Sequence, residues 1–503
     1  MQRDRHASPP TFVDPDDFQR ARDVLIHANY TDTGILEVLA TPGLSAPRAS
    51  DVAPLLWRTR HGTALDTLIR LFLIGVPTEV EATRRALAPM TLEQWAEARL
   101  LTLHHDMAVA LVKLLPFQEL VLAFDMPQRL GAGTPADFVM GIGSSTLTLA
   151  TLTIRRPSRL TLDLGTGCGI QAFLAAPHSA GVYAVDRNPR ACGFTDFNIR
   201  LNGLANVECY EGDLFEPVQQ QQFDLVISNP PFVISPASSY LYRDSPLPGD
   251  EICQKIVREV PRFLREGGYC QILCNWAHLT GQDWQTRLAS WFEGTGCDAW
   301  VLRSETREAA DYAATWIRET EGESPAHVAQ LYEEWMAYYE RGQIEAMSAG
   351  LITMRRRSSS PSWFRADDAP AKMLGPCGDN VVRLFEAQDF LETARNDQAL
   401  LEARLCISPD VRWEQHCMPS AQGWQITASH VCLGRGLAYT GDMDPYAAHL
   451  VGRCDGKRPL RDILSEFATT VGSTMENFAP ACLGVVRRLI AYGFLAPAET
   501  SGM

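Results

Sequence analysis

Apolar and polar positions alternate in two registers along this chain. Across residues 137–305, short apolar runs at 160–164, 182–185, 207–210, 223–228, 269–274 and 297–302 read as buried strands. Amphipathic stretches between them read as helices, such as the one opened by Gly249-Asp250 and carried through Ile256, Val260 and Phe263-Leu264 to Gly267-Gly268. Alternation of this kind predicts an α/β fold with a doubly wound parallel sheet. The pattern breaks at 306–344, where Val328, Leu331, Trp335 and Tyr338 fall at helical spacing in an amphipathic insertion, read as packing, with substrate recognition as the alternative. Residues 349–354 then form the final strand.

The flanks carry other patterns. Residues 1–12 are polar and expected to fray. From Phe18 to about Leu101 the spacing is helical, with Thr78 a candidate cap for a helix over 79–82 and Thr91 opening another. Residues 109–115 and 119–124 read as two strands around Pro116, and helices followed by a hairpin suggest a winged-helix-like domain. Residues 355–362, basic and then serine-rich, read as a solvated linker, with a phosphate contact as the alternative. Beyond it, short strands at 405–407, 411–415 and 424–427 precede helices opening at Asp444, Pro459 and Pro480, a small α+β, winged-helix-like unit. The expected division is a docking domain at 1–130, an α/β domain at 131–357 and a C-terminal domain at 376–503.

Candidate chemistry lies at the strand ends. The run at 223–228 meets Asn229-Pro230-Pro231-Phe232. Two prolines have no N–H for the ladder, so the strand stops in a rigid turn. The turn offers the Asn229 side-chain oxygen and the Pro230 carbonyl as acceptors, with Phe232 as a flat face beside them. That set suits a planar –NH2 group, as in an amide or the exocyclic amine of adenine. Upstream, Asp163-Leu164-Gly165-Thr166-Gly167-Cys168-Gly169 is a strand entering a glycine-rich turn. Alone it is equally a dinucleotide loop or a bare turn. A second strand ends at Asp186, about twenty residues on, where an acid would hold a ribose diol. A third runs into Gly212-Asp213-Leu214. Asp186 and Asp213 have helix N-caps as their alternative reading.

In this order the four motifs resemble those of class I S-adenosylmethionine-dependent methyltransferases, in the branch with Asn-Pro-Pro-aromatic, and are most similar to the release-factor glutamine methyltransferases (the HemK-like family). N6-adenine methyltransferases share the tetrapeptide. The resemblance covers roughly residues 137–355. It implies a Rossmann-like seven-stranded core with S-adenosyl-L-methionine as cofactor. It also implies cofactor contacts from Asp163, Gly165, Thr166, Gly167, Gly169, Asp186, Arg187, Asp213, Leu214 and Asn229. Asn229, Pro230, Pro231 and Phe232 would hold the acceptor. Ser144, Ser145 and Thr146 lie where the family closes over its cofactor. Arg243-Asp244 and Gly249-Asp250 should border the acceptor pocket, with surface charge pairing as the alternative. The implied substrate is a protein glutamine, with an RNA base amine as alternative, and a non-catalytic binding protein as the reading from another class.

Bulk properties adjust this picture slightly. A net charge of −15 leaves only a local patch for phosphate contacts and favours a protein over a nucleic-acid partner. No apolar run is long enough for a membrane span, and the N-terminus lacks an apolar leader. Thirteen scattered cysteines, including Cys270 and Cys274 on one strand face, suggest reduced thiols in a cytoplasmic protein and no metal.

Overall fold

A computed structural model describes residues 8–40, 52–126, 134–236, 240–245, 247–320, 325–357, 361–421, 423–470 and 472–498. It divides into two compact units, residues 1–149 with 157–367, and residues 150–156 with 368–503.

The first unit is built on one eight-stranded sheet. Its strands are β1 (Ser158–Leu164), β2 (Ser179–Asp186), β3 (Val207–Glu211), β4 (Phe223–Ser228), β5 (Leu264–Leu279), β6 (Cys297–Glu308), β7 (Ile344–Arg356) and β8 (Phe364–Asp368), in the spatial order β8-β6-β7-β5-β4-β1-β2-β3. β1, β2, β3, β4 and β5 run parallel, and β7 is antiparallel to both β5 and β6. The central strands are continuous apolar runs because both faces are covered. Five of the six residues of β4 are buried. Helices α1 (Ile170–Ala175), α2 (Pro189–Asn202), α3 (Glu251–Glu259) and α4 (Trp284–Phe292) follow β1, β2, β4 and β5. The insertion forms α5 (Ala309–Thr320) and α6 (Pro325–Arg341), between β6 and β7.

Seven strands are expected; the eighth, β8, follows the expected linker at 355–362, whose first two residues belong to β7. Arg355 and Arg356 belong to β7, and Arg355 pairs with buried Asp298 at 2.5 Å. β8 is held at the edge by Trp300 Nε1, which donates to Asp367 at 2.7 Å. The basic run therefore reads as linker only because its partner acid lies 57 residues away. Ser358, Ser359 and Ser360 lie outside the described residues.

The N-terminal segment packs on α2, and the boundary expected near residue 130 falls inside one compact unit. Helices Asp16–His27, Asp32–Leu39, Val52–Arg58, Ala64–Leu68, Val80–Leu87 and Leu92–Glu97 precede strands Leu101–His104, Met107–Ala110, Val112–Phe117 and Leu120–Asp125. Residues 109–115 thus split between two strands. The helix from Val80 is capped by Glu79, because the Thr78 hydroxyl bonds Thr83 instead, at 2.8 Å. Nor do residues 8–12 fray. Thr11 N donates to Ala98 O at 3.1 Å, and Phe12 is buried against Phe18, Trp95 and Phe197.

α2 joins the two parts. Asn198 bonds both the N–H and the carbonyl of Ala123, and Asn202 does the same for Val121, at 2.8–3.0 Å. Arg190 pairs with buried Asp125 at 2.5 Å. Deleting residues 1–130 would leave these side chains buried or exposed without partners, each at about 1–3 kcal/mol. A fragment beginning at residue 131 is expected to melt at a lower temperature than the same unit does in the full chain, as read by differential scanning calorimetry.

The second unit holds helices Gly378–Thr393, Asp397–Glu402, Pro445–Gly452, Leu460–Thr470 and Met475–Ala491 around small antiparallel sheets. Pro480 lies inside the last helix, which begins at Met475 and not at the proline. The short strands expected at 411–415 and 424–427 are halves of one long hairpin, Val411–Ser420 with Gly423–Leu433, most of it exposed.

Candidate active site

The glycine turn after β1 is shaped by its backbone. Gly165, Gly167 and Gly169 have φ of +76°, +60° and +92°, values that L side chains adopt with strain. Gly165 N and Thr166 N both donate to Val185 O, at 2.8 and 3.0 Å, which docks the turn on the end of β2. A Cβ at Gly167 would meet nothing within 4 Å, so the turn leaves space above it.

Two acids anchor the turn. Asp163 is buried and accepts from Thr166 Oγ1 at 2.7 Å and Ala172 N at 3.0 Å. Burial pushes its carboxyl up to about 7, with those two donors pulling the other way. Asp186 accepts from Gly167 N at 2.8 Å and Asn188 N at 2.9 Å, and burial likewise holds it above the usual carboxylate range. It is not a helix cap; Asn188 caps α2 by accepting from Arg190 N at 3.0 Å. Asp213 is exposed at the end of β3, beside Leu214, whose φ is +48°.

Asn229-Pro230-Pro231-Phe232 leaves β4 toward the same place. The Asn229 side-chain oxygen is buried, yet no described group donates to it. No described residue donates to the Pro230 carbonyl either. After the motif the chain is tied down. Val233 N donates to Arg243 O at 3.1 Å, Ile234 N to Tyr312 Oη at 3.2 Å, and Tyr339 Oη to Ile234 O at 2.8 Å.

These elements enclose one cavity of about 310 Å³ at the C-terminal ends of β1, β2 and β4. In a doubly wound sheet that is where ligands bind. Of the residues expected at the site, Gly165, Thr166, Gly167, Asp186, Arg187, Asp213, Leu214, Asn229, Pro230, Pro231 and Phe232 line it, with Ser145 and Thr146. Asp163, Gly169 and Ser144 do not. Asp163 acts behind the wall through Thr166, and a Cβ at Gly169 would fall 2.2 Å from the Phe173 ring, so that glycine serves helix packing.

The loop after the motif divides. Leu241, Tyr242 and Arg243 border the cavity. Arg243-Asp244 is not a surface pair: both side chains are buried, 2.7 Å apart, and the guanidinium lies over Tyr240. Gly249 and Asp250 turn away; Asp250 pairs with Arg287 at 2.7 Å and accepts from Ala277 N. Sequence reasoning missed Gln171, which donates to Thr146 O at 2.9 Å and holds the upstream segment over the turn. It also missed Trp316 of α5 and Lys255 of α3, both lining the cavity.

Residues 140–294 match the methyltransferase small domain. The chain carries a methyltransferase domain. The cofactor of such a domain is S-adenosyl-L-methionine. Residues 27–111 and 382–497 match two domains of unknown function (DUF7059 and DUF7782). The methyltransferase domain is similar to a release factor glutamine methyltransferase of Geobacter sulfurreducens, 34% identical over 125 residues, covering 22% of this chain and 43% of that one. A ribosomal protein uL3 glutamine methyltransferase of Bradyrhizobium diazoefficiens is 36% identical over 126 residues, covering 22% and 40%. A Methanocaldococcus jannaschii protein with the provisional name of protein N5-glutamine methyltransferase is 34% identical over 128 residues, covering 24% and 63%. The chain thus spans between 40% and 63% of the length of these relatives.

Proposed function

We propose that this protein transfers a methyl group from S-adenosyl-L-methionine to a planar –NH2 group, the side-chain amide of a protein glutamine. The observation that carries the reading is the orphaned Asn229 oxygen at the cavity wall. A buried acceptor left unpaired costs about 1–3 kcal/mol, so it belongs to a ligand that donates. The names of the relatives support an amide as that ligand.

The cofactor supplies an electrophilic methyl group on a sulfonium. The chain's own task is the acceptor. An amide nitrogen delocalises its lone pair and is a weak nucleophile. The Asn229 oxygen and the Pro230 carbonyl would accept its two N–H groups, orient it and favour the geometry that frees the lone pair. Phe232 borders the planar group. The nitrogen loses its proton after transfer, so no strong base is needed beforehand. On the cofactor side, Asp186 and Asp213 would accept from the ribose hydroxyls and the adenine amine, and the turn at Gly165 and Gly167 leaves the backbone open to close approach.

Asp163 gives a pH signature. Between the ordinary carboxylate value and about 7, the ligand-free protein holds a proton that the unfolded chain has lost. Its contribution to stability therefore falls as pH rises through that window and levels off above. The positively charged amino group of the cofactor, held in the cavity across the Thr166 wall from Asp163, would lower the Asp163 pKa and favour release of the proton. S-Adenosylhomocysteine is expected to bind more tightly as pH rises toward about 7, with proton release seen by calorimetry in buffers of different ionisation enthalpy. Asp163→Asn should flatten that dependence.

The proposal is tested by tritium transfer from labelled cofactor into a cell lysate, followed by protease or nuclease. Label lost to protease supports it; label lost to nuclease moves the acceptor to RNA. The flanking units would then dock the substrate. The thirteen free thiols suit a reducing compartment such as the cytoplasm.

A further inference from the structure

The methyltransferase small domain match ends at residue 294, so α5 and α6 lie outside it. The insertion packs over the segment that follows the motif. Val233, Ile234, Tyr312, Ile317, Trp335 and Tyr339 form one buried apolar cluster, and both Phe232 and Trp316 lie partly buried against it. α5 is fixed in register there, because Tyr312 Oη accepts from Ile234 N at 3.2 Å and from Asn275 Nδ2 at 2.7 Å. Of the described residues of the insertion, Trp316 alone lines the cavity, with Phe232.

We propose that Trp316 is a specificity-determining residue that, with Phe232, makes the acceptor end of the cavity a slot for a flat, uncharged group. Phe232 and Trp316 line the cavity and pack against the same apolar cluster, so both bring aromatic surface to the part of the cavity beside that cluster, which suits a planar amide. Charge acts in the same direction. Asp186 and Asp213, at the ends of β2 and β3, are the carboxylates among the described lining residues; of the lining cations Arg187, Arg243 and Lys255, Arg243 is already paired with buried Asp244. An ammonium such as a lysine side chain would find no carboxylate on the turn from Asn229 to Phe232 or on Trp316 to offset its lost hydration. This selection rests on the reading of Asn229 as the group that receives the acceptor.

The test is binding of small probes to the full-length protein saturated with S-adenosylhomocysteine, followed by ligand-observed NMR. N-Acetyl-L-glutamine amide, adenosine and Nα-acetyl-L-lysine amide serve as probes. The wild type is expected to bind the glutamine probe and to reject the lysine probe. Trp316→Ala should weaken the glutamine probe about tenfold, the scale of one lost aromatic contact with its buried area. Trp316→Leu, which keeps apolar bulk without planarity, should weaken it similarly. Trp316→Phe should restore most of it, and S-adenosylhomocysteine affinity should stay constant throughout. Wild-type affinity in both Trp316→Ala and Trp316→Leu would overturn the proposal, as would equal binding of the lysine probe or failure of every probe to bind the wild type. Adenosine binding in place of the glutamine probe, with the same dependence on Trp316, would uphold the slot while overturning the glutamine reading.

Discussion

Asn229→Ala is expected to lower methyl transfer about a hundredfold or more while leaving S-adenosylhomocysteine affinity nearly unchanged. Asn229 begins the turn that leaves β4, and its side-chain oxygen is buried without a donor. An acceptor held in that state costs nothing to reorganise when the substrate nitrogen develops charge. Deleting it removes an interaction that strengthens along the reaction, so kcat should fall more than the acceptor KM rises. The glycine turn and its two acids do not depend on this oxygen, since Asp163 and Asp186 take their donors from Thr166, Ala172, Gly167 and Asn188. Calorimetry paired with single-turnover transfer checks both halves. Equal loss of cofactor affinity and of transfer would place Asn229 on the cofactor and not on the acceptor.

Asp186→Ala is expected to act in the opposite sense, removing cofactor affinity first. Two hydroxyl hydrogen bonds to a carboxylate are worth about 1.5–3 kcal/mol each, so affinity should fall by at least about two orders of magnitude. The same carboxylate also accepts from Gly167 N and Asn188 N. Its loss would therefore loosen the glycine turn as well, and Asp186→Asn, which keeps one acceptor oxygen, should fall between the wild type and alanine. Calorimetry with S-adenosylhomocysteine reads the affinity, and a melting curve confirms that each variant is folded. Unchanged affinity in folded Asp186→Ala would remove this residue from the site.

The parts of the fold legible in the sequence are those where one residue type has one conformational use. Buried parallel strands show as apolar runs, the glycines of the turn take positive φ, and Pro230-Pro231 must end β4. β7 is legible only in its buried run at 349–354, because its first residues are partly exposed and its last are the arginines Arg355 and Arg356. β8 is hidden because Phe364–Asp368 is a short, largely polar edge segment whose partner, Trp300, is distant in sequence. Arg243-Asp244 was equally ambiguous, since adjacency in sequence says nothing of burial. In the insertion, the stripe of Val328, Leu331, Trp335 and Tyr338 marks α6, whereas the side chain at the cavity is Trp316 of α5. Periodicity reports which face is covered, and a site residue at the margin of that face has no signature of its own. The exposed hairpin from Val411 to Leu433 was read as two short strands because its polar alternation lacks the apolar face that marks a covered strand.

Glutamine methylation is tested most directly by the chemical form of the transferred methyl group. Polymer labelled by the full-length protein from tritiated S-adenosyl-L-methionine should be hydrolysed in acid, the hydrolysate made alkaline and the volatile base collected. A methylated side-chain amide breaks at its C–N bond and releases the label as methylamine, with free unlabelled glutamate among the amino acids, and this is the expected result. Label recovered as a methylated adenine, or retained on an amino acid after complete hydrolysis, would contradict the assignment.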